Sequence, residues 1–183
     1  MGLTEEELPK LVQQWRSANP HITKFWWDID QAAVKAVREK TIVQKGNLEF
    51  SYRSGILFIT LPSGRKLSYV KPRMITNRFG REALSYEGIG DSKKWMRIET
   101  YGAKLTENIV QGTARDLLAQ AMLRLTDAGY DIVMHVHDEA VLEVPEGESS
   151  VEEICKIMSE QPSWAEGLPL NADGYECSFY KKD

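Results

Sequence analysis

The sequence predicts an α+β fold in which an antiparallel sheet packs on helices. Three observations carry this. Apolar residues recur at three- and four-residue steps over 8–37 and again over 104–127. Between these stretches, short β-rich runs over 48–70 are cut by Ser54-Gly55 and Pro62-Ser63-Gly64. After the second helical stretch, 131–136 and 140–144 read as two strands around a polar turn.

Taken in order, Thr4 with Glu7 three residues later forms a capping box for a first helix striped by Leu8, Leu11, Val12 and Trp15. Asn19-Pro20 ends it, because the residue before proline avoids helical geometry. A second helix follows with Ile22, Phe25, Trp26, Ile29, Ala32, Ala33, Ala36 and Val37, giving an antiparallel pair over 1–41. Residues 48–52, 56–61 and 66–70 then form a small antiparallel meander. The stretch 71–92, with Gly80, Gly88 and Gly90, reads as an extended excursion, and 95–98 resumes order.

The longest helix should run over 104–127, mostly buried through Leu105, Ile109, Leu117, Leu118, Ala121 and Leu125, with Gly129 as its terminator. Ser150 and Glu153 cap a helix striped by Val151, Ile154, Cys155 and Met158, and 170–180 supplies a last strand. The expected sheet centres on the polar hairpin, packed by the long helix and flanked by the helix pair. Residues 42–92 are a satellite to it, and 93–183 form the main portion.

Composition narrows the function. At 183 residues and 42% hydrophobic content the chain can build one real core. No apolar run is long enough to span a membrane, and the opening Met1-Gly2-Leu3-Thr4 lacks the basic start and apolar stretch of a secretory signal. Cys155 and Cys177 show no metal-type spacing, so reduced thiols and a cytoplasmic location are expected. The net charge of −4 hides an uneven distribution. Residues 53–104 hold Arg53, Arg65, Lys66, Lys71, Arg73, Arg78, Arg81, Lys93, Lys94, Arg97 and Lys104 between acidic ends, which is compatible with one DNA-facing surface.

Two features can carry chemistry. In Met134-His135-Val136-His137-Asp138-Glu139-Ala140-Val141, apolar strands flank polar residues where a hairpin normally turns with Gly, Asn or Pro. A carboxylate at a hairpin tip has the fixed position a catalytic metal ligand needs, and it equally suits an ordinary solvated turn. On the long helix, Lys104, Asn108, Gln111 and Arg115 fall within a sector of about 60°. Gln and Arg can donate to the minor-groove acceptors shared by every base pair, so the strip could check duplex shape. It could also be the solvent edge of a packed helix.

The segment Glu107-Asn108-Ile109-Val110-Gln111-Gly112-Thr113-Ala114-Arg115-Asp116, followed by Val136-His137-Asp138-Glu139, resembles family A, polymerase-I-like DNA polymerases of the phage type. Trp15-Arg16-Ser17-Ala18-Asn19-Pro20, Arg97-Ile98-Glu99-Thr100-Tyr101-Gly102 and Gly174-Tyr175-Glu176 extend the likeness over nearly the whole chain. The resemblance implies a palm-type sheet and DNA-directed nucleotidyl transfer to a primer 3′ end, with primer–template DNA and deoxynucleoside triphosphates as partners. It implies Asp138 as one of two aspartates for a Mg2+ pair, Glu139 beside it, and His137 at the primer-terminal backbone. Gln111 would enter the minor groove, with Asn108 and Arg115 as nearer neighbours than Lys104.

The chain departs from that family in two places. An Asp-x-Ser-x-Ile-Glu strand is missing, and so is the fingers helix that holds the triphosphate; Leu3-Thr4-Glu5-Glu6-Glu7 resembles the sequence just beyond that helix. The expectation is a C-terminal fragment that supplies one metal carboxylate and is inactive alone. Two other readings stand beside it. One is a DNA-binding or assembly module that completes a split polymerase with a missing N-terminal portion, or that pairs with itself. The other is a metal-dependent hydrolase using His135, His137 and Asp138.

Overall fold

The computed structural model describes residues 7–181 and resolves into two compact units, Met1–Val110 and Gln111–Asp183. The Thr4–Glu7 capping box and the Leu3–Glu7 resemblance lie partly outside the described residues.

In the first unit, α1 (Leu8–Ala18) and α2 (Pro20–Glu39) are separated by Asn19 alone. Asn19 stops α1 by bending its amide back: Nδ2 donates to the Trp15 carbonyl at 2.8 Å, and so does its backbone N–H at 3.0 Å. Pro20 then opens α2, where its missing N–H costs nothing. The α1 stripe is left open: Leu8, Leu11, Val12 and Trp15 are exposed, and no α1 residue is buried. Periodicity marks a face; it does not supply something to cover it. The stripe's visible partnership is the stacked pair Trp15–Trp26, with ring centroids 5.6 Å apart.

Six strands follow: β1 (Ile42–Lys45), β2 (Leu48–Arg53), β3 (Ile56–Thr60), β4 (Lys66–Thr76), β5 (Glu82–Ile89) and β6 (Trp95–Thr100). They pair in sequence order, each antiparallel to the next. One face carries Phe50, Leu57, Ile59 and Leu84 onto Ile29, Ala32, Ala33 and Ala36 of α2, all buried. Small residues on α2 let its backbone come close to the sheet, so a single helix covers the centre.

This arrangement corrects the expected architecture. The main sheet is the meander of 42–100, and the residues expected as its satellite carry the core of this unit. Residues 71–92, read as an extended excursion, continue β4 and build β5, and β6 joins the meander too. Strand alternation was hidden there by a bulge between Val70 and Arg73, which changes the face of every later β4 residue.

The next helix, α3 (Gly102–Asp127), contributes residues to both units. Its start is a close approach: a Cβ on Gly102 would lie 1.9 Å from the Trp26 carbonyl oxygen. Only glycine lets the α3 backbone reach α2 there. Asp30 on α2 accepts the Gly102 N–H, and burial of this carboxyl pushes its pKa up despite that bond. Leu105, Ile109, Leu118, Ala121 and Leu125 are buried as expected, while Val110 and Leu123 are exposed.

In the second unit, α3 ends as Gly129 predicts. Gly129 has φ +92°, its N–H reaches the Thr126 carbonyl at 3.0 Å, and the Tyr130 N–H reaches Leu125 at 3.0 Å. Then come β7 (Asp131–Val136), β8 (Glu139–Glu143) and α4 (Val151–Met158), where the Ser150 hydroxyl accepts the Glu153 N–H at 3.2 Å as predicted. Arg124 ties α3 to the end of α4 by donating to the Ile157 carbonyl at 3.3 Å. The strand expected over 170–180 does not form among the described residues. Asp173 instead accepts the Gly174 N–H at 2.9 Å, and Gly174 lies against Val151 and Cys155 of α4.

Candidate active-site hairpin

β7 and β8 pair as a two-stranded sheet of their own, not as the centre of a larger one. Val136 faces Glu139, leaving a two-residue turn of His137 and Asp138. Tight hairpin turns require left-handed backbone, and His137 adopts it at φ +53°. A non-glycine residue there carries strain that the flanking ladder must hold. The result is an exposed tip: His137 and Asp138 are open to solvent and Glu139 is half-buried at the start of β8.

Further down β7, the register shifts between Ile132 and Met134, leaving Val133 as an extra residue. Beyond this bulge His135 meets Arg115 of α3. The two terminal guanidinium nitrogens lie 3.5 Å from Nδ1 and Nε2 of the ring. The in-plane directions of those ring nitrogens diverge, so one planar guanidinium cannot hydrogen-bond both at once. Both ring nitrogens are thus set against one guanidinium. Arg115 and His135 also line an open groove of about 450 Å3 with Met122, Leu123, Ile132 and Met134.

The helix strip divides. In the first unit, the Lys104 ammonium is 2.9 Å from Glu107, which raises its pKa, and the Asn108 amide donates to the Tyr69 hydroxyl at 3.0 Å. In the second unit, Gln111 and Arg115 are exposed. Among the described residues no group of three His, Cys, Asp or Glu is placed to hold a metal ion. His135, His137 and Asp138 therefore do not form the ligand set that the hydrolase reading needs, and His135 has a cation against its ring instead.

Sequence reading missed a polar network on the sheet. Glu87 accepts from Lys71 at 2.9 Å, from the Trp95 indole at 3.2 Å and from Arg97 at 3.0 Å, and these donors hold its pKa below the ordinary carboxylate value. Opposite charges were visible in the sequence; the register that brings them together was not.

No helix among the described residues is long and apolar enough to cross a membrane. No family model matches the chain, and no solved structure matches it. A DNA polymerase of Bacillus phage SP02 is 57% identical over 185 residues, an alignment that covers all of this chain and 28% of that polymerase. The chain thus spans little more than a quarter of the relative it matches, and along its whole length it is similar to one segment of a phage DNA polymerase.

Proposed function

We propose that this chain is the part of a family A DNA polymerase that supplies the His-Asp-Glu hairpin for nucleotidyl transfer from deoxynucleoside triphosphates to a primer 3′ end. The whole-length identity to a phage DNA polymerase carries the reading. The hairpin supports it, because the His137 turn presents Asp138 to solvent with half-buried Glu139 next to it on a paired base.

Two adjacent carboxylates are hard oxygen donors of the kind Mg2+ takes, and the described residues bring no third to them. Asp138 would hold Mg2+ together with a carboxylate from outside these 183 residues, in a palm-type site completed elsewhere. When bound, a pair of such ions supplies activation of the primer hydroxyl and stabilisation of charge on the phosphates. This chain's own residues position: Gln111 and Arg115 toward the minor groove of primer–template DNA, His137 toward the primer-terminal phosphate, Glu139 beside Asp138. Lys104 and Asn108 have intramolecular partners and take a lesser part.

Primer extension tests the reading, with this chain alone and then with the remaining polymerase portion supplied in trans. The expected result is activity only on mixing, reduced at least about 100-fold by Asp138→Asn, as for loss of a group that stabilises transition-state charge. Full activity with Asp138→Asn in a folded chain removes the assignment. A second reading, an assembly module for a split polymerase or for a second copy of itself, is favoured by exposed Leu123, Val133 and Met134 in the groove between α3 and β7.

A further inference from the structure

We infer that the outer face of β4–β6 binds single-stranded DNA, with Trp95 as a stacking platform and Arg73, Lys93 and Lys94 as its phosphate contacts. The inference rests on the polymerase reading for the identity of the polymer. The placement comes from the sheet alone.

Residues alternate across a strand, and Leu84 and Tyr86 of β5 face the core with α2. Ser85, Glu87 and Ile89 therefore face away from it. Their partners on β6 are Glu99, Arg97 and Trp95, and Arg73 of β4 pairs with Ser85, so these residues share the outer face. Trp95 is 59% exposed there and Ile89 69%. Together the two side chains leave an apolar patch open on this face.

This indole is also held in place. Its N–H donates to Glu87, whose other donors are Lys71 and Arg97. Arg97 is anchored in turn by the Lys71 carbonyl at 3.2 Å and by the Ser85 hydroxyl at 3.1 Å, beside the β4 bulge. The carboxylate that holds the Trp95 indole is thus saturated with donors, which leaves the ring face for a ligand. Lys93 and Lys94 lie in the turn that leads into Trp95, and with Arg73 they are exposed and make no ion pair among the described residues. Over 53–104, where 11 of the 23 Lys and Arg residues fall, the acids are only Glu82, Glu87, Asp91 and Glu99, in a chain of net charge −4.

A ring face flanked by unpaired cations fits unpaired bases on a phosphate backbone. A duplex hides its base faces and offers only edges, so the surface should prefer a single strand. This is also why the occupant is a nucleic acid strand and not a protein segment: the cations need a regular polyanion.

The test is fluorescence anisotropy of a labelled oligothymidylate with the purified chain, without nucleotide or Mg2+, and with a duplex as competitor. Trp95→Ala should weaken binding roughly 5- to 150-fold, the range for loss of one base–aromatic stack, while Trp95→Phe keeps most of it. The triple variant Arg73→Ala, Lys93→Ala, Lys94→Ala should weaken binding and flatten its salt dependence. Circular dichroism identifies any variant that fails to fold, in which case Trp95→Phe and the triple variant decide. Absence of binding, Trp95→Ala within about two-fold of the parent, or a duplex competing as well as a single strand overturns the inference. Because the readout is binding by this chain alone, it can fail while trans primer extension succeeds, and the reverse.

Discussion

The guanidinium of Arg115 lies against the imidazole of His135, with its two terminal nitrogens each 3.5 Å from a ring nitrogen. The contact joins the helix that precedes the hairpin to the hairpin's first strand, two residues before the His137 turn. It holds the arm of the tip from the side, which a two-stranded ribbon cannot do for itself.

The first prediction is that Arg115 and His135 are energetically coupled. A double-mutant cycle with Arg115→Ala and His135→Ala, read by urea unfolding, should give about 0.5 kcal/mol, as for a cation on an exposed ring. Arg115→Lys should lose most of it, because a single ammonium cannot contact both ring nitrogens as the two guanidinium nitrogens do. Strict additivity of the two alanine variants would show that the side chains merely lie near each other.

Gly102→Ala should be among the most damaging single substitutions in the chain. The new Cβ would meet the Trp26 carbonyl oxygen at 1.9 Å and the Asp30 Cβ at 2.9 Å, and neither is the free end of a flexible side chain. Forcing α3 away from α2 should cost about 3 kcal/mol, measured as a drop in the urea midpoint. A near-native midpoint would mean that the helices do not approach as closely as described.

Asp30 gives a pH signature. Burial raises its pKa above the ordinary 3.8, so the folded chain binds this proton more tightly than the unfolded chain does. Its contribution is most favourable below 3.8 and declines as pH rises through the raised value. Asp30→Asn keeps an acceptor for the Gly102 N–H and removes the titration. Stability of the parent minus that of the variant should therefore fall over that window and be flat above it. A difference rising with pH would reverse the assignment.

Glu87 should behave in the opposite sense. Its donors Lys71, Trp95 and Arg97 lower its pKa below 4.5, so its contribution is present above 4.5 and is lost as pH falls through the lowered value. Glu87→Gln should remove that acid-side loss. An unchanged acid limb in the pH–stability curve of the variant would count against the network.

At the turn, stability and function should separate. His137→Gly relieves the left-handed backbone at φ +53° and should change stability by less than about 1 kcal/mol. His137→Val should cost about 1–2 kcal/mol, since a branched side chain tolerates that conformation poorly. If the imidazole acts on the primer end, both variants lose extension in the trans assay. Full extension by the stable glycine variant would assign His137 a purely conformational role.

The elements legible in the sequence were those whose causes are local. Asn19-Pro20 ends α1, Gly129 closes α3, Ser150 caps α4, and two β-branched runs make the hairpin around His137 and Asp138; each signal and its effect lie within a few residues. The likeness to phage DNA polymerases was legible for the same reason, since it resides in consecutive residues along α3 and the hairpin. Only the tertiary structure decided where the main sheet lies. The bulge after Val70 hid the alternation of 71–92, so β5 could be recognised only through its partners on either side. The reach of Asp30 to Gly102, the convergence of Lys71, Trp95 and Arg97 on Glu87, and the contact of Arg115 with His135 all join residues distant in sequence. Spacing along the chain is silent about such pairs, because register and packing, not periodicity, determine which side chains meet.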